Sequence, residues 1–188
     1  MKNNGVRRPR EFRRLAEIVP PFKQRLYFVA ILTKFLEKHG IRPIVVGGHA
    51  VEFYTLGTYA TVDIDLVSQG TEIIGELLTG WGFVKTGRHW LLPELDIEIE
   101  IPSAAPQGID TSRLTKARIE DLVAYIIGIE DLIIDRLNAC VHWKSQADCE
   151  WAAQLLKLHK NKIDLGYLKE RSRKEGIIAA LTKITRNG

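Results

Sequence analysis

Apolar side chains recur at spacings of three and four in several segments of the chain, which is the pattern of a helix that buries one face. The first segment follows a pair of prolines and stops at Gly40. Basic residues in the last turn and a glycine directly after it are typical of a helix end. We predict helices over residues 22–40, 49–56, 73–78, 129–143, 147–159 and 164–176, and a final helical turn or two over residues 177–184.

A different pattern, strict alternation, predicts a strand over residues 61–67. Its even positions are apolar, whereas Thr61, Asp63, Asp65 and Val67 occupy the odd positions and must share the opposite face. Apolar or β-branched runs predict further extended segments over residues 43–46, 83–85, 95–101 and 123–127.

The segment 95–101 places acidic residues at every second position. If its isoleucines pack one way, then Asp96, Glu98 and Glu100 all point the other way. Three carboxylates on one strand face repel one another unless a cation lies among them, so this strand is a candidate part of a metal site.

Composition limits the class of protein. The 188 residues are 45% hydrophobic and 27% charged, which fits one compact unit with a substantial core. No apolar run approaches the roughly 20 residues that span a bilayer, and the arginine-rich start lacks the apolar stretch of a signal peptide. We therefore expect a cytoplasmic protein with no membrane partner.

Cys140 and Cys149 match neither a disulfide framework nor a zinc site, and we expect both to be core residues.

Charge is distributed unevenly along the chain. Residues 1–14 carry six basic residues and one acidic residue, residues 169–188 carry six and two, and the stretch between them is acidic. Basic ends suit a polyanion bound at the periphery, although solvated ends that keep the protein soluble explain the pattern equally well. Because the first 14 residues have few apolar anchors and dense like charge, we predict that they are mobile.

A glycine pair precedes the Asp63 strand. Without Cβ atoms, Gly47 and Gly48 would let the backbone approach a phosphate, and the helix after them would direct free N–H groups at the anion. A Gly-Gly pair alone is also an ordinary turn.

Asp63 and Asp65, two apart on a strand, place two carboxylates on one face, where oxygen ligands suit a hard divalent cation. A solvated strand is the alternative, but carboxylates without partners are costly in a buried strand.

The order Val45-Val46-Gly47-Gly48, then Thr61-Val62-Asp63-Ile64-Asp65, then a strand with a third carboxylate resembles the DNA polymerase β superfamily of nucleotidyltransferases. It is similar to the minimal prokaryotic group that includes the abortive-infection toxins of toxin–antitoxin pairs. The resemblance covers roughly residues 40–175. It implies an α/β fold with a mixed-sheet core, an N-terminal helix and a C-terminal helical segment. We accordingly divide the chain into a basic arm (1–21), the core (22–127) and the helical segment (128–188).

The resemblance also implies roles for individual residues. The third carboxylate corresponds to Glu100, with Glu98 left open as the alternative on the same strand face. Magnesium is the implied metal, with manganese as the substitute, held by Asp63, Asp65 and Glu100, which would also be the catalytic residues. The nucleotide-binding residues implied by the resemblance are Gly47, Gly48, His49, Thr61, Arg136 and Asp148.

Several of these assignments have structural alternatives. Arg136 could pair with Asp135 or Asp131 on the surface, and Asp148 could merely belong to a helix cap. A lone histidine such as His49 more often caps a helix than binds a phosphate. Tyr59 departs from the pattern, because many of the toxins have an arginine two residues before the threonine.

The implied activity is transfer of a nucleoside monophosphate from an NTP to a hydroxyl acceptor. The basic ends favour RNA or a tRNA end as the acceptor, a protein hydroxyl stays open, and an antitoxin protein is an implied partner. The alternative is a module on the same fold that binds nucleotide or nucleic acid but has lost turnover.

Overall fold

The computed structural model describes residues 6–102 and 108–186. Its centre is one seven-stranded mixed sheet with the strand order β3-β4-β5-β2-β1-β7-β6. β2 runs parallel to β5 and β1 runs parallel to β7, whereas the other four pairs are antiparallel. The strands are β1 (Ile44–Val45), β2 (Asp63–Val67), β3 (Val84–Thr86), β4 (His89–Leu92), β5 (Ile97–Glu100), β6 (Thr115–Ile119) and β7 (Leu122–Ile126). The predicted α/β fold with a mixed sheet is confirmed.

The helices occur where the apolar spacing predicted them, and one additional helix lies in the N-terminal arm. They are α1 (Phe12–Leu15), α2 (Pro21–Leu36), α3 (Gly47–Tyr54), α4 (Thr71–Gly80), α5 (Ile129–His142), α6 (Gln146–His159), α7 (Leu165–Lys174) and α8 (Ile178–Arg186). A turn of 3-10 helix extends α2 to His39, and Gly40 ends it with a φ of 71°. Among the described residues, no helix has the length and apolarity needed to cross a bilayer.

The two faces of the central strands have different surroundings. Ile64 and Leu66 of β2, together with Ile97 and Ile99 of β5, are buried in the main hydrophobic core. The alternate positions of both strands carry the carboxylates and are only half-buried. Because side chains alternate along a strand, the buried isoleucines fix which face presents the acidic residues.

The N-terminal arm packs on the core, so the mobility predicted for residues 1–14 is wrong for residues 6–14. Phe12 and Leu15 of α1 are buried, and the Phe12 ring meets the Trp81 ring edge-on at 5.3 Å. The Arg7 N–H donates to the Gly80 carbonyl at 2.9 Å. These apolar anchors are only two residues, too few to stand out in a sequence dominated by arginine. Residues 1–5 lie outside the described residues.

Cys140 of α5 and Cys149 of α6 form a disulfide, which corrects the expectation of two free core thiols. Both side chains are half-buried rather than part of the core. Their separation of nine residues did not suggest a bridge, because only the tight α5–α6 turn brings the two helices into register. Disulfides are rare in reducing compartments, and cytoplasmic location stays a prediction.

Two strands were missing from the sequence prediction. They are β4, which forms a hairpin with β3 and also pairs with β5, and β6, which forms a hairpin with β7 at the edge of the sheet. The predicted strand 95–101 also begins later than expected, because residues 93–95 form a 3-10 turn and Asp96 adopts a left-handed conformation with φ of 50°. Asp96 therefore does not belong to the acidic face of β5. The three-part domain division stays a prediction.

Candidate metal and nucleotide site

Strand register brings three carboxylates together. In the parallel pair of β2 and β5, Asp65 lies directly opposite Glu100. One ligand oxygen from each of Asp63, Asp65 and Glu100 can be chosen so that all three lie within 4.8 Å of one another. Each side chain is half-buried, so the group is reachable from solvent.

Glu98 lies one pleat away from this group and has a different partner. It is opposite Asp63 in the register, and its Oε1 lies 2.9 Å from His89 Nδ1 on β4. Geometry therefore places Glu100, not Glu98, in the carboxylate cluster, which is the choice that the sequence left open.

The glycine pair contacts the same cluster. Gly47 has a φ of 57°, and a Cβ atom at this residue would overlap the Asp65 carboxylate. The Gly48 N–H donates to Asp65 Oδ2 at 3.2 Å. Only a residue without a side chain permits this close approach, so the turn between β1 and α3 is built around the carboxylate.

The charged form of Asp65 is disfavoured by its surroundings. Burial, and secondarily the charge of Asp63, raises its pKa from the ordinary value of 3.8 to about 6, and the Gly48 N–H only partly offsets this. Clustered oxygen ligands that resist ionisation are stabilised by a divalent cation, and carboxylate oxygens are the ligands that magnesium and manganese prefer. The residues present therefore fit such an ion.

Thr61 and Tyr59 lie beside the glycines. Thr61 Oγ1 donates to Asp63 Oδ1 at 2.7 Å, which orients that carboxylate. The Tyr59 ring packs edge-on against Trp151 at 4.9 Å, and a Cβ on Gly48 would lie 3.3 Å from it. Tyr59 therefore puts an aromatic ring at the position where many of the toxins have an arginine.

His49 lies in the interior. Its side chain is fully buried, and its Nδ1 is 3.2 Å from Glu52 Oε2, which also accepts a 2.6 Å hydrogen bond from Arg25. Burial lowers the pKa of His49. Since the ring has no exposed surface, the structure places it behind the glycine turn, where direct donation to a bound phosphate would require rearrangement.

Arg136 and Asp148 come together across α5 and α6. Arg136 Nη1 donates to Asp148 Oδ1 at 2.8 Å, a pair that the sequence did not predict, and Nη2 donates to Asp135 Oδ2 at 2.6 Å, the surface pair named as the alternative. Arg136 lines the same cleft as Asp65 and Glu100, and its charge lowers the pKa of Asp65. The backbone N–H of Asp148 also binds the capping Ser145, as the alternative proposed.

Arg88 is a residue of the site that sequence reasoning missed. Its Nε lies 2.8 Å from Glu100 Oε1, and its side chain is 65% exposed. Arg88 sits in the turn between β3 and β4, and because β4 was not predicted, nothing in the sequence connected it to Glu100.

A cleft of about 760 Å³ opens beside the carboxylate cluster, between the sheet and the C-terminal helices. Its polar lining among the described residues is predominantly acidic. The charged lining residues are Asp65, Glu100, Asp131, Asp135, Glu175, Arg136 and Arg171. Its volume is in the range typical of small-molecule sites.

No family model matches the sequence, and no curated protein matches it. Solved structures do match the fold. An antigenic nucleotidyltransferase-like protein from Paracoccidioides brasiliensis aligns with a TM-score of 0.60 and 14% identity, covering 85% of this chain and 86% of its own.

Two structures of ANT(2'')-Ia also match. One, in complex with adenylyl-2''-tobramycin, aligns with a TM-score of 0.53 and 11% identity, covering 80% of this chain and 95% of its own. The other, a solution structure of this antibiotic-resistance factor, has a TM-score of 0.53 and 14% identity, covering 88% and 99%. The chain therefore has the nucleotidyltransferase fold.

Proposed function

We propose that this protein is a metal-dependent nucleotidyltransferase that moves a nucleoside monophosphate from an NTP to a hydroxyl acceptor. The observation that carries the proposal is the cluster of Asp63, Asp65 and Glu100 against the Gly47-Gly48 turn. The positive φ of Gly47 already favours glycine, and the close approach of the Asp65 carboxylate adds a second, independent requirement for a residue without a Cβ atom.

The chain's own residues have distinct roles in this reaction. Gly47 and Gly48 would direct the start of α3, with its positive dipole end, toward the triphosphate, while the Gly48 N–H itself donates to Asp65 Oδ2. A magnesium or manganese ion held by Asp63, Asp65 and Glu100 would supply positive charge to the triphosphate and acidify the acceptor hydroxyl. The hydroxyl oxygen attacks the α-phosphorus, its proton passes to Glu100, and pyrophosphate leaves.

Arg136 would stabilise negative charge on the phosphates. Asp148 holds its guanidinium from one side and Asp135 from the other, so the cation is oriented before a ligand arrives. Preorganised charge of this kind costs no reorganisation during the reaction. Thr61 would act indirectly, since its hydroxyl is bonded to Asp63.

Two classes of acceptor are supported by different observations. The basic ends favoured RNA or tRNA, with a protein hydroxyl open, and a toxin role with an antitoxin partner. However, Arg8 is paired with Glu94 and Arg14 with Glu120, which reduces the charge that the arm offers to a polyanion. The acidic cleft favours a second candidate, a small cationic polyhydroxyl acceptor.

The experiment incubates the protein with each labelled NTP and Mg²⁺ and measures transfer of the label to an acceptor. Total RNA, protein and small cationic polyhydroxyl compounds are supplied as acceptors in separate reactions. Glu100→Gln should lower transfer by at least about 10², because the proton acceptor is lost. Glu98→Gln is the matched control and should retain most activity.

NTP binding without turnover in any reaction would support the inactive nucleotide-binding alternative instead. Growth arrest by the wild type but not by Asp65→Asn would support the toxin role.

A further inference from the structure

Trp143 is a large apolar side chain left in solvent at the edge of the cleft. It directly follows α5, 81% of its surface is exposed, and it lines the same cleft as Asp65 and Glu100. The other tryptophans differ, since Trp81 and Trp90 are buried and Trp151 is half-buried. An exposed indole beside a polar cleft offers a flat stacking surface.

The backbone that carries Trp143 is fixed. The N–H groups of Trp143 and Ser145 both donate to the Ala139 carbonyl, at 3.1 and 3.3 Å. Ser145 then caps α6, and the disulfide joins the two helices on either side of the turn. The backbone beneath the indole is therefore held by this turn, so stacking has to order only the side-chain torsions of Trp143, which keeps the entropy cost low.

The position of Trp143 suits one part of a nucleotide. It lies seven residues after Arg136, which corresponds to about 10 Å along the helix axis. A nucleotide whose phosphates lie near Arg136 could reach this far with its base. Asn138 also lines the cleft, and its amide offers both a donor and an acceptor to a base edge.

We propose that Trp143 and Asn138 form a nucleobase subsite, in which the indole stacks on the base and the amide binds its polar edge. This inference rests on the proposed function and assigns the part of the ligand that the carboxylates and glycines do not contact. The base could belong to the incoming NTP or to the terminal nucleotide of an RNA acceptor. The two sources share the same chemistry.

The test measures binding to the full chain by calorimetry in the presence of Mg²⁺. The ligands are the four NTPs, a short single-stranded RNA and tripolyphosphate, which has the phosphates but no base. Trp143→Ala should weaken NTP binding by about 10-fold, in line with base–aromatic stacking, and leave tripolyphosphate binding unchanged. Trp143→Phe should restore most of the loss. Asn138→Ala should narrow the differences in affinity among the four NTPs.

The matched control is Val141→Ala, which alters another exposed apolar residue near the end of α5 and should change none of these affinities. If Trp143→Ala weakens RNA binding but not NTP binding, the base comes from the acceptor. Equal loss for NTP and tripolyphosphate, or no loss for any ligand, would overturn the subsite while leaving the proposed transfer activity intact. A wild type that binds no NTP and no tripolyphosphate would instead reject the proposed function, and the subsite with it.

Discussion

Replacing Asp65 by asparagine should make the metal-free protein more stable while removing its response to metal. The Asp65 carboxylate is forced close to Asp63 and the Gly47 backbone, in a half-buried position. Asparagine has nearly the same shape and can still accept the hydrogen bond from the Gly48 N–H, but it carries no charge. The substitution therefore removes repulsion without leaving a cavity.

The size of the effect follows from the pKa of Asp65. An increase from the ordinary 3.8 to about 6 corresponds to roughly 3 kcal/mol, at about 1.4 kcal/mol per pKa unit. Since the site is partly open to solvent, we expect about half of this, 1–2 kcal/mol, or about 3–6 °C in Tm.

The pH dependence has a definite sign. Between pH 3.8 and about 6, the folded protein holds the Asp65 proton more tightly than the unfolded chain does. The Asp65 contribution to the free energy of unfolding therefore falls as the pH rises through this window, and it stays low at neutral pH. Asp65→Asn should match the wild type near pH 4 and exceed it at pH 7.

Thermal unfolding with and without Mg²⁺ provides the assay. Metal at about 100 times its Kd should stabilise the wild type by about 2.7 kcal/mol, and Asp65→Asn should show little of this gain. Glu98→Gln, one pleat outside the cluster, should keep the metal response. A metal-free Asp65→Asn protein that is less stable than the wild type at pH 7 would refute the electrostatic argument, and an undiminished metal response would refute the ligand role.

Two further substitutions test contacts that only the structure revealed. Arg88→Ala removes a cation that competes with the metal for Glu100, so calorimetry should show Mn²⁺ binding up to about 5-fold more tightly, in keeping with a partly exposed ion pair. Lys85→Ala on the same hairpin is the control, and weaker Mn²⁺ binding by Arg88→Ala would contradict the reasoning. Phe12→Ala removes a buried ring that contacts Trp81 and should lower the free energy of unfolding, measured by urea denaturation, by about 3–5 kcal/mol. Arg10→Ala, at an exposed residue of the same arm, should have little effect. Similar stability of both variants would show that the arm does not contribute to the fold.

The sequence by itself determined the parts of this protein that depend on local periodicity. α2 and its glycine end, β2 with two aspartates on one face, and the boundaries of α5 and α6 all follow from apolar spacing and alternation, because one face of each element is buried. The Gly47-Gly48 turn ahead of the Asp63 strand was visible for the same reason, since it is a short contiguous pattern.

Tertiary structure decided everything that depends on register between distant segments. Glu98 and Glu100 are indistinguishable along β5, and only the pairing of Asp65 with Glu100 selects one of them. The arm was expected to be mobile from its charge, yet Phe12 and Leu15 are buried, because they meet a hydrophobic surface formed by remote residues. Hydrogen bonds from Arg7 and Arg8 to the backbone of residues 80 and 81 add to this anchoring. The disulfide, the Arg88–Glu100 pair and the placement of Trp143 on the cleft have the same origin: each joins positions whose proximity exists only after the chain has folded.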